Sequence, residues 1–285
     1  MEVDYQSWVR TVEREAFTAP EPNWLSGAVP RFSMAFQPIV NVVEGVPFAY
    51  EALVRSTAGE PAISVLSRVP KGSFHLFDKA CRSRALELAI GAGLLNEPNA
   101  KLCINVNPNA AVGAESHLMQ TCEEALMRGL PLDRLVVELV EDDAIIDFAE
   151  LKHVVRDLRE CGVRIAMDDF GAGYSGLKLL SKLQPDIIKL DMELVNRVEV
   201  DRTAEIIVQA IVQACFELNI TTVAEGVETY ETAMLLRDMG VVHQQGYYFA
   251  RPAFEQLAPV VNCLPEMQIG AANRLPMIGA RRVAA

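Results

Sequence analysis

Acidic and amide side chains stand at or near the ends of several short apolar runs of this chain, as in LVVELVE and RIAMDD. A single lysine, Lys189, lies at the end of a similar run, DIIKLD. Carboxylates at short range cannot all stay ionised without a counter-ion, so such a group either takes up protons or binds cations. Oxygen ligands of this kind suit Mg²⁺ or Mn²⁺ rather than zinc or copper. The residues in these positions are Glu51, Asn105, Glu138, Asp168, Asp169, Lys189, Asp191 and Glu225.

Each acid taken alone could be a helix cap or a surface charge. Asp168, Asp169 and Glu225 taken together favour a site, because each follows directly on an apolar predicted strand. Two divalent ions about 3.5–4 Å apart form a common clamp for in-line attack on phosphorus. The acids therefore indicate metal-assisted phosphoryl chemistry.

A glycine-rich segment, Gly171 to Gly176, follows the two aspartates and has the formal spacing GxGxxG. With a strand before it, a helix after it and Asp191 about twenty residues further on, it has the dinucleotide-binding pattern. However, Asp168 and Asp169 stand immediately before it, where they would repel a pyrophosphate. We therefore interpret the segment as a flexible loop beside the acids.

Eight β-rich runs, separated after the second by helical stretches, predict an α/β fold, a (β/α)8 TIM-like barrel. The carboxyl ends of parallel strands meet at one rim, so we expect the acids, Lys189 and Gln245 to converge there. Only Glu44 and Gly45 separate the first two runs, too few residues for a parallel crossover, so the first strand should be antiparallel. The predicted strands are 34–43, 46–54, 101–106, 135–140, 164–167, 186–190, 221–224 and 246–249, with Gln245 just before the last, and the predicted helices are 74–91, 115–128, 148–161, 201–218 and 230–239.

The composition is that of a folded, acidic protein. The chain has 285 residues, of which 51% are hydrophobic, and its formal net charge of −12 argues against binding a nucleic-acid polymer. The six cysteines form no CxxC pair, so we expect reduced thiols and a cytoplasmic location. We find no signal peptide and no apolar run of about 18 residues, so no membrane association is expected. We predict a short helix and lead-in over residues 1–30, one barrel domain over 31–262 and a flexible tail over 263–285.

A series of motifs that contains these residues resembles one known family. The motifs are FQPIV at 36–40, EALVR at 51–55, INVNP at 104–108, ELVE at 138–141, DDFGAGYSGL at 168–177, PDIIKLD at 185–191, VAEGVET at 223–229 and QGYYFARP at 245–252. In this order they resemble the EAL domain, the cyclic di-GMP phosphodiesterase module. The resemblance implies hydrolysis of cyclic di-GMP to linear 5′-pGpG by a barrel whose first strand is reversed.

The resemblance also implies roles for the residues at the rim. Mg²⁺ or Mn²⁺, with one or two ions per site, would be the cofactor, and Ca²⁺ is expected to inhibit. Lys189 would hold the attacking water or offset phosphate charge, and Asp191 would help to fix Lys189 and the second metal. Glu225 would bind metal directly or through water, or act as general base. Glu51, Asn105, Glu138 and Asp168 would hold the first metal, and Asp169 would share in the second.

Other residues would bind the substrate or support the site. Arg55 would bind a substrate phosphate, and Gln245 would line the same pocket. Glu228 would anchor the glycine-rich loop, and Glu141 would have a similar role. The implied substrate-binding residues are Gln37, Leu53, Arg55 and Gln245.

Three departures from the family pattern lie close to these motifs. Asn107 stands where serine is usual and keeps a small polar side chain. Ala172 replaces a common threonine in the glycine-rich loop, which removes one hydroxyl hydrogen bond worth about 1 kcal/mol. Residues 61–77 do not follow the familiar pattern after EALVR, so the ligand contacts of that stretch stay open.

Two other functions stay open from the sequence. Some members of the family are inactive receptors or protein-interaction modules, which typically lack several metal ligands. This chain has the expected residue type at every assigned ligand position. Alternatively, Lys189 could abstract a proton beside carboxylate-bound Mg²⁺, as in enolase-like barrels.

The predicted helix over residues 201–218 bears on the oligomeric state. It is apolar over much of its circumference, which exceeds a single buried stripe. The family often dimerises through helices in this region. We therefore predict a homodimer, with a well-buried barrel helix as the alternative reading.

Overall fold

The computed structural model describes residues 29–109, 111–112, 117–140, 147–173 and 176–262. Most of the predicted lead-in over 1–30 and the predicted tail over 263–285 lie outside these ranges. Glu141 also lies outside them.

Nine strands within the described residues form one sheet, and eight of them close into a barrel. They are β1 (Ser33–Asn41), β2 (Val46–Arg55), β3 (Lys101–Val106), β4 (Leu135–Val140), β5 (Arg164–Phe170), β6 (Ile187–Leu190), β7 (Thr221–Ala224), β8 (His243–Gln244) and β9 (Ala253–Phe254). Strands β2 to β8 pair in parallel in chain order. Strand β1 closes the barrel by antiparallel pairing with β2 and β8, and β9 adds to its edge. The predicted barrel with a reversed first strand is confirmed.

Helices alternate with the later strands. Those in the described ranges are α1 (Ile63–Leu66), α2 (Phe74–Gly91), α3 (Leu118–Met127), α4 (Phe148–Glu160), α5 (Gly176–Leu183), α6 (Met192–Val195), α7 (Arg202–Glu217) and α8 (Tyr230–Asp238). The five predicted helices correspond to α2, α3, α4, α7 and α8. Among the described residues, no helix is both long and apolar enough to cross a bilayer.

The turn between β1 and β2 explains why the first strand is reversed. The side-chain Oδ1 of Asn41 accepts hydrogen bonds from the backbone N–H groups of Val43 and Glu44, at 3.1 and 3.2 Å. Gly45 follows with φ of 70°, a left-handed conformation that glycine adopts at little cost. The connection is thus a tight hairpin, as the short spacing predicts.

The predicted last strand over residues 246–249 is wrong. The barrel closes with β8 instead, so Gln245 follows the last barrel strand rather than preceding it. Gly246 packs so closely on the backbone of Val227 that a Cβ at this position would lie 2.0 Å from the Val227 carbonyl oxygen. The N–H groups of Phe249 and Ala250 both donate to the Gly246 carbonyl, which makes a compact turn. This packing outweighs the strand propensity of Tyr-Tyr-Phe.

The barrel interior is layered, because successive inward-facing residues of a strand lie two positions apart. A middle layer of apolar side chains fills the barrel. It consists of Ile39, Ala49, Cys103, Val136, Ala166, Ile187 and Val223. A second layer, of polar side chains, lies nearer the rim. Each of its residues stands two positions along the chain from a residue of the middle layer. They are Gln37, Glu51, Asn105, Glu138, Asp168, Lys189 and Glu225. Strand alternation therefore gathers the polar residues into a single layer above an apolar one.

Candidate metal centre

The ammonium group of Lys189 lies at the centre of this polar layer, and its side chain is fully buried. Its Nζ lies 2.7 Å from Oε1 of Glu225 and 2.9 Å from Oδ1 of Asp168. The distances to Oε1 of Glu138 and Oε2 of Glu51 are 3.2 and 3.5 Å. Burial disfavours the charged amine, but the four carboxylates raise the pKa of Lys189 well above its usual range. The lysine is therefore protonated.

One ammonium group cannot balance the carboxylates around it. Burial raises the pKa of Glu138 to about 8, since the charges of Glu51 and Asp168 add to the effect of burial and outweigh the opposing Lys189. Burial and Asp168 likewise raise the pKa of Glu225 well above its usual range. Apart from ion pairs with Lys189, neither oxygen of Glu138 has a hydrogen-bond partner among the described residues. The cluster needs more positive charge, supplied by protons or by cations.

A β-bulge brings two adjacent aspartates to the same mouth of the barrel. Neighbouring residues of a regular strand point to opposite faces, but the register of β5 with β6 shifts between Met167 and Phe170. Within the bulge Asp169 has φ of 52°. Burial and the neighbouring charge of Asp168 raise the pKa of Asp169 to about 6. Both carboxylates thereby belong to the centre.

The carboxylates form two overlapping groups that fit divalent cations. Oxygen atoms of Glu51, Glu138 and Asp168 lie within 4.8 Å of one another, and so do oxygen atoms of Asp168, Asp169 and Glu225. Asp168 belongs to both groups, as a ligand shared by a pair of ions would. The all-oxygen donor set and the excess negative charge suit Mg²⁺ or Mn²⁺.

Amide side chains connect the carboxylates to the rest of the rim. Nε2 of Gln245 donates to Oε2 of Glu51 at 2.8 Å and to Oε1 of Gln37 at 3.3 Å. Nδ2 of Asn105 donates to the other oxygen of Glu51 at 3.1 Å. Nε2 of Gln37 donates to the carbonyl of Ala250 at 3.0 Å. The structure thus joins the predicted ligand Asn105 and the predicted substrate residues Gln37 and Gln245 in one network.

Asp191 and Glu228 lie at the edge of the site. Asp191 accepts a hydrogen bond of 2.9 Å from the N–H of Glu193 and so caps α6, and its charge contributes to the raised pKa of Asp169. Glu228 is exposed, and no hydrogen bond or ion pair joins it to the described residues of the glycine-rich loop. The loop-anchoring roles of Glu228 and Glu141 stay predictions.

A cavity of about 640 Å³ opens beside the carboxylates, between α2 and the strands β2 and β3. Leu53, Arg55 and Asn105 line it where it meets the centre, and Leu53 and Arg55 are half-buried. Residues 61–77, the atypical stretch of the sequence, also contribute to its wall. The lining from this stretch and from α2 includes Ala62, Leu66, Phe74, His75, Phe77, Asp78, Cys81 and Arg82.

This cavity contains an ion pair that the sequence motifs do not predict. Arg82 is buried and pairs with Asp78, one helical turn earlier in α2. Nε of Arg82 also donates to Oγ1 of Thr121 at 2.9 Å. Burial raises the pKa of Asp78, although Arg82 opposes this. Opposite charges at i and i+4 on the apolar face of a helix were the signal available in the sequence.

The sequence matches the model of one known protein family, as the motifs implied. The family model described as the EAL domain matches residues 23–252 of this chain. The chain belongs to the EAL domain family. Its similarity to solved structures and to curated proteins is consistent with that assignment.

Solved structures of EAL proteins share the fold. A standalone EAL protein from Vibrio cholerae O395 in a c-di-GMP-bound form is 41% identical, with a TM-score of 0.75, over 80% of this chain and 95% of that chain. BlrP1 from Klebsiella pneumoniae, in a complex with manganese and cyclic di-GMP, is 34% identical, with a TM-score of 0.74, over 83% of this chain and 59% of BlrP1. A calcium and cyclic di-GMP complex of BlrP1 is 34% identical, with a TM-score of 0.75, over 85% of this chain and 60% of BlrP1.

Curated relatives include a protein named for the reaction. The probable cyclic di-GMP phosphodiesterase PdeD from Escherichia coli is 28% identical over 251 residues, which cover 88% of this chain and 46% of PdeD. The chain spans between 27% and 53% of the length of the first curated relatives that it matches.

Proposed function

We propose that this protein hydrolyses cyclic di-GMP to linear 5′-pGpG with the help of Mg²⁺ or Mn²⁺. The observation that carries the proposal is the pair of overlapping carboxylate groups that share Asp168 beside the buried ammonium of Lys189. Relatives bound to cyclic di-GMP, one of them with manganese, support the choice of substrate and cofactor.

Two sets of oxygen ligands would hold the ions. A divalent ion bound there supplies Lewis acidity, which makes water a better nucleophile and offsets phosphoryl charge. Ca²⁺ also prefers oxygen ligands but takes more of them at longer distances, so we expect it to bind without supporting turnover. The first set is Glu51, Asn105, Glu138 and Asp168, and the second is Asp168, Asp169 and Glu225 with Asp191 at its edge.

Glu225 and Lys189 would handle the proton and the charge of the reaction. Glu225 belongs to the second carboxylate group, and we assign its carboxylate the proton of the attacking water. Lys189 stays protonated and stabilises the negative charge on the phosphoryl oxygens. Attack on phosphorus breaks the bond to O3′, which takes up a proton, and leaves a 5′-phosphate and a 3′-hydroxyl.

The side of the site next to the cavity would bind the substrate. Arg55 offers a guanidinium group for a phosphate. Leu53 lines the same cavity, and Gln37 pairs with Glu51 in the β1–β2 register. The cavity is large enough for a purine base, since ligand pockets commonly measure about 300–1,000 Å³. We therefore place one guanine of cyclic di-GMP between α2 and the strands.

Chromatography of cyclic di-GMP after incubation with the protein and Mn²⁺ tests this function. We expect linear pGpG to accumulate with Mn²⁺ or Mg²⁺ and not with Ca²⁺. Binding of the dinucleotide without product would instead identify an inactive receptor. Absence of both binding and product would contradict the proposal, and the protonated Lys189 also argues against the enolase-like alternative.

We further propose that the protein is a homodimer and that α7 belongs to the interface. Helix α7 and the residue after it carry apolar side chains that stay exposed in the single chain. Phe216 is 69% exposed, and Ile206, Ile207 and Leu218 are 44–51% exposed. A second copy would remove this apolar surface from water.

A further inference from the structure

Three apolar side chains of the atypical stretch, residues 61–77, are exposed beside the cavity. In α1, Ile63 is 71% exposed and Leu66, one turn later, is 38% exposed. Phe74, the first residue of α2, is 47% exposed and lines the same cavity as Leu66. We call these three residues the apolar patch. Exposed apolar side chains that lie together in this way mark a surface for binding another segment.

The stretch that carries the apolar patch is also basic. Residues 61–77 contain no aspartate or glutamate, although the whole chain has 38 acidic residues and a net charge of −12. Arg68 and Lys71 are exposed, and neither forms a salt bridge with a carboxylate of the described residues. Nε of Arg68 donates to the Ser64 carbonyl at 2.6 Å, which holds the guanidinium group against α1. A partner of this surface should therefore combine apolar and acidic side chains.

The first described residues of the chain lie next to this surface. The ring of Phe32 packs edge-to-face on Phe77 of α2, with 5.1 Å between the ring centroids, and Phe77 also lines the cavity. Residues 1–28 precede the described ranges. A fully extended linker of residues 18–28 spans up to about 35–40 Å, so residues 1–17 can reach the apolar patch.

The sequence of residues 1–17 has the side chains that this surface requires. Five apolar residues at helical spacing would form one stripe of an amphipathic helix, and these are Tyr5, Trp8, Val9, Val12 and Ala16. At about 100° per residue, acidic residues would border this stripe on both sides, namely Glu2, Asp4, Glu13 and Glu15. Arg10 and Arg14 would lie on the opposite side of the helix. An apolar face with acidic borders complements an apolar patch with basic neighbours.

We propose that residues 1–17 form an amphipathic helix that docks on the apolar patch of the same chain. The apolar stripe would cover the patch, and the acidic borders would lie near Arg68 and Lys71. Most of the stability of such a helix comes from packing its apolar face rather than from helix propensity. The covalent link between helix and patch raises their effective concentration, so even a weak contact would be populated. This docking does not require that the protein hydrolyses cyclic di-GMP.

Fluorescence of Trp8 tests the docking in the full chain. The chain has two tryptophans, so Trp24→Phe leaves Trp8 as the only one. Quenching by acrylamide, which is uncharged, measures how accessible the Trp8 ring is to solvent. A synthetic peptide of residues 1–17 gives the quenching constant of the undocked segment. The thermal unfolding midpoint of each variant checks that the barrel is folded.

Variants of the surface separate the apolar and the charged parts of the contact. Because docking would bury the Trp8 ring, we expect a quenching constant at least about threefold lower in the Trp24→Phe protein than in the peptide. Ile63→Glu places a charge in the patch and should raise the constant to the peptide value. Val46→Glu changes an exposed valine of the β1–β2 hairpin and should leave the constant unchanged.

Charge reversal tests the acidic borders of the helix. Arg68→Glu combined with Lys71→Glu should also raise the quenching constant of Trp8, because like charges then face each other. Adding Glu13→Lys and Glu15→Lys to that double variant should restore the protection of Trp8. A helix held elsewhere on the protein would not respond to this exchange of charges.

Three results would overturn the docking. Equal quenching of Trp8 in the full chain and in the peptide would mean that the segment does not dock. Protection that persists in Ile63→Glu would place the segment on another surface. Protection lost on about hundredfold dilution would assign the patch to a second copy of the chain, since an intramolecular contact does not depend on concentration.

Discussion

At the scale of single residues, the site is defined by how much negative charge one buried ammonium can offset. Lys189 contacts four carboxylates within 3.5 Å. Burial raises the pKa of Glu138 to about 8, and the charges of Glu51 and Asp168 add to that effect against the opposing charge of Lys189. Lys189 and a divalent ion therefore attract the same oxygens, and variants of these residues separate their contributions.

The shared ligand gives the first prediction. Asp168→Asn removes one negative charge from both carboxylate groups at almost unchanged volume. We expect kcat to fall by more than about 100-fold and Mn²⁺ binding to weaken, because a carboxylate in both ligand sets is lost. Activity assays and calorimetric titration with Mn²⁺ measure the two effects.

A matched variant controls for loss of charge alone. Asp238→Asn changes an exposed aspartate of α8 that pairs with Arg237. It should leave both kcat and Mn²⁺ affinity unchanged. If Asp168→Asn retained the wild-type values as well, the ligand assignment would be wrong.

We expect Lys189→Met to strengthen Mn²⁺ binding and to slow turnover. Without the ammonium group, the carboxylates no longer form ion pairs with Lys189, and a bound cation is no longer repelled by it. Mn²⁺ should therefore bind at least about tenfold more tightly. Turnover should fall by more than about 100-fold, because a charge that stabilises the phosphoryl oxygens is lost. Calorimetry and activity assays on the same preparation measure both.

Lys101→Met is the control for this change. Lys101 lies at the start of β3, at the opposite end of the strand from the carboxylates, where its Nζ sits 4.2 Å from the Phe48 ring. Its loss should change neither Mn²⁺ affinity nor turnover. Weaker Mn²⁺ binding by Lys189→Met would mean that the lysine supports the metal instead of competing with it.

At the scale of elements, strand alternation made most of the site predictable. Most of the predicted ligands lie at or near the end of an apolar run, and period-two alternation places Asn105, Glu138 and Lys189 in one layer. The bulge of β5 could not be read in the same way, because two adjacent acids in a regular strand would face opposite sides. The left-handed backbone conformation of Asp169 allows both carboxylates to face the same mouth of the barrel, and the sequence alone does not reveal that conformation.

The misplaced last strand has a different cause. The residues Tyr247 to Phe249 have strand propensity, but the contact of Gly246 with Val227 decides their conformation. A contact between residues 19 positions apart leaves no local signal in the sequence. Tertiary packing overrides local propensity at such positions.

That contact predicts the effect of Gly246→Ala. An added Cβ would lie 2.0 Å from a backbone oxygen, so the turn must shift. We expect the free energy of unfolding to fall by about 1–3 kcal/mol or more. Affinity for cyclic di-GMP should fall too, because Gln245 moves with the turn. Urea denaturation and ligand titration measure these changes.

Gly91→Ala is the matched control. A Cβ at Gly91, the last residue of α2, meets nothing within 4 Å. Alanine is favoured over glycine in helices, so this variant should be up to about 1 kcal/mol more stable. If Gly246→Ala were as stable as the wild type, the close packing of the turn would not hold in solution.

At the scale of the whole molecule, the barrel was predictable and the cavity was not. The short hairpin spacing and the alternation of strands with helices determine the topology, including the reversed strand. The cavity forms where α2 packs against β2 and β3, and its wall includes the atypical residues 61–77. Its shape depends on how that stretch folds against the barrel, which no motif specifies.

The proposed dimer gives a prediction at the same scale. Light scattering at micromolar concentration should give a mass near twice 31.4 kDa. The double variant Ile207→Glu with Phe216→Glu should be monomeric, because two charges would enter an apolar interface. Ile63→Glu, at another exposed aliphatic position, should remain dimeric. A monomeric wild-type protein would contradict the proposed homodimer.

Above all, we propose that the converging carboxylates hold divalent cations. An anomalous difference map from crystals grown with Mn²⁺ tests it most directly. We expect density among Glu51, Glu138 and Asp168, and further density among Asp168, Asp169 and Glu225 when both ions are bound. A map with no peak at either position, with Lys189 still paired to the same carboxylates, would contradict the claim.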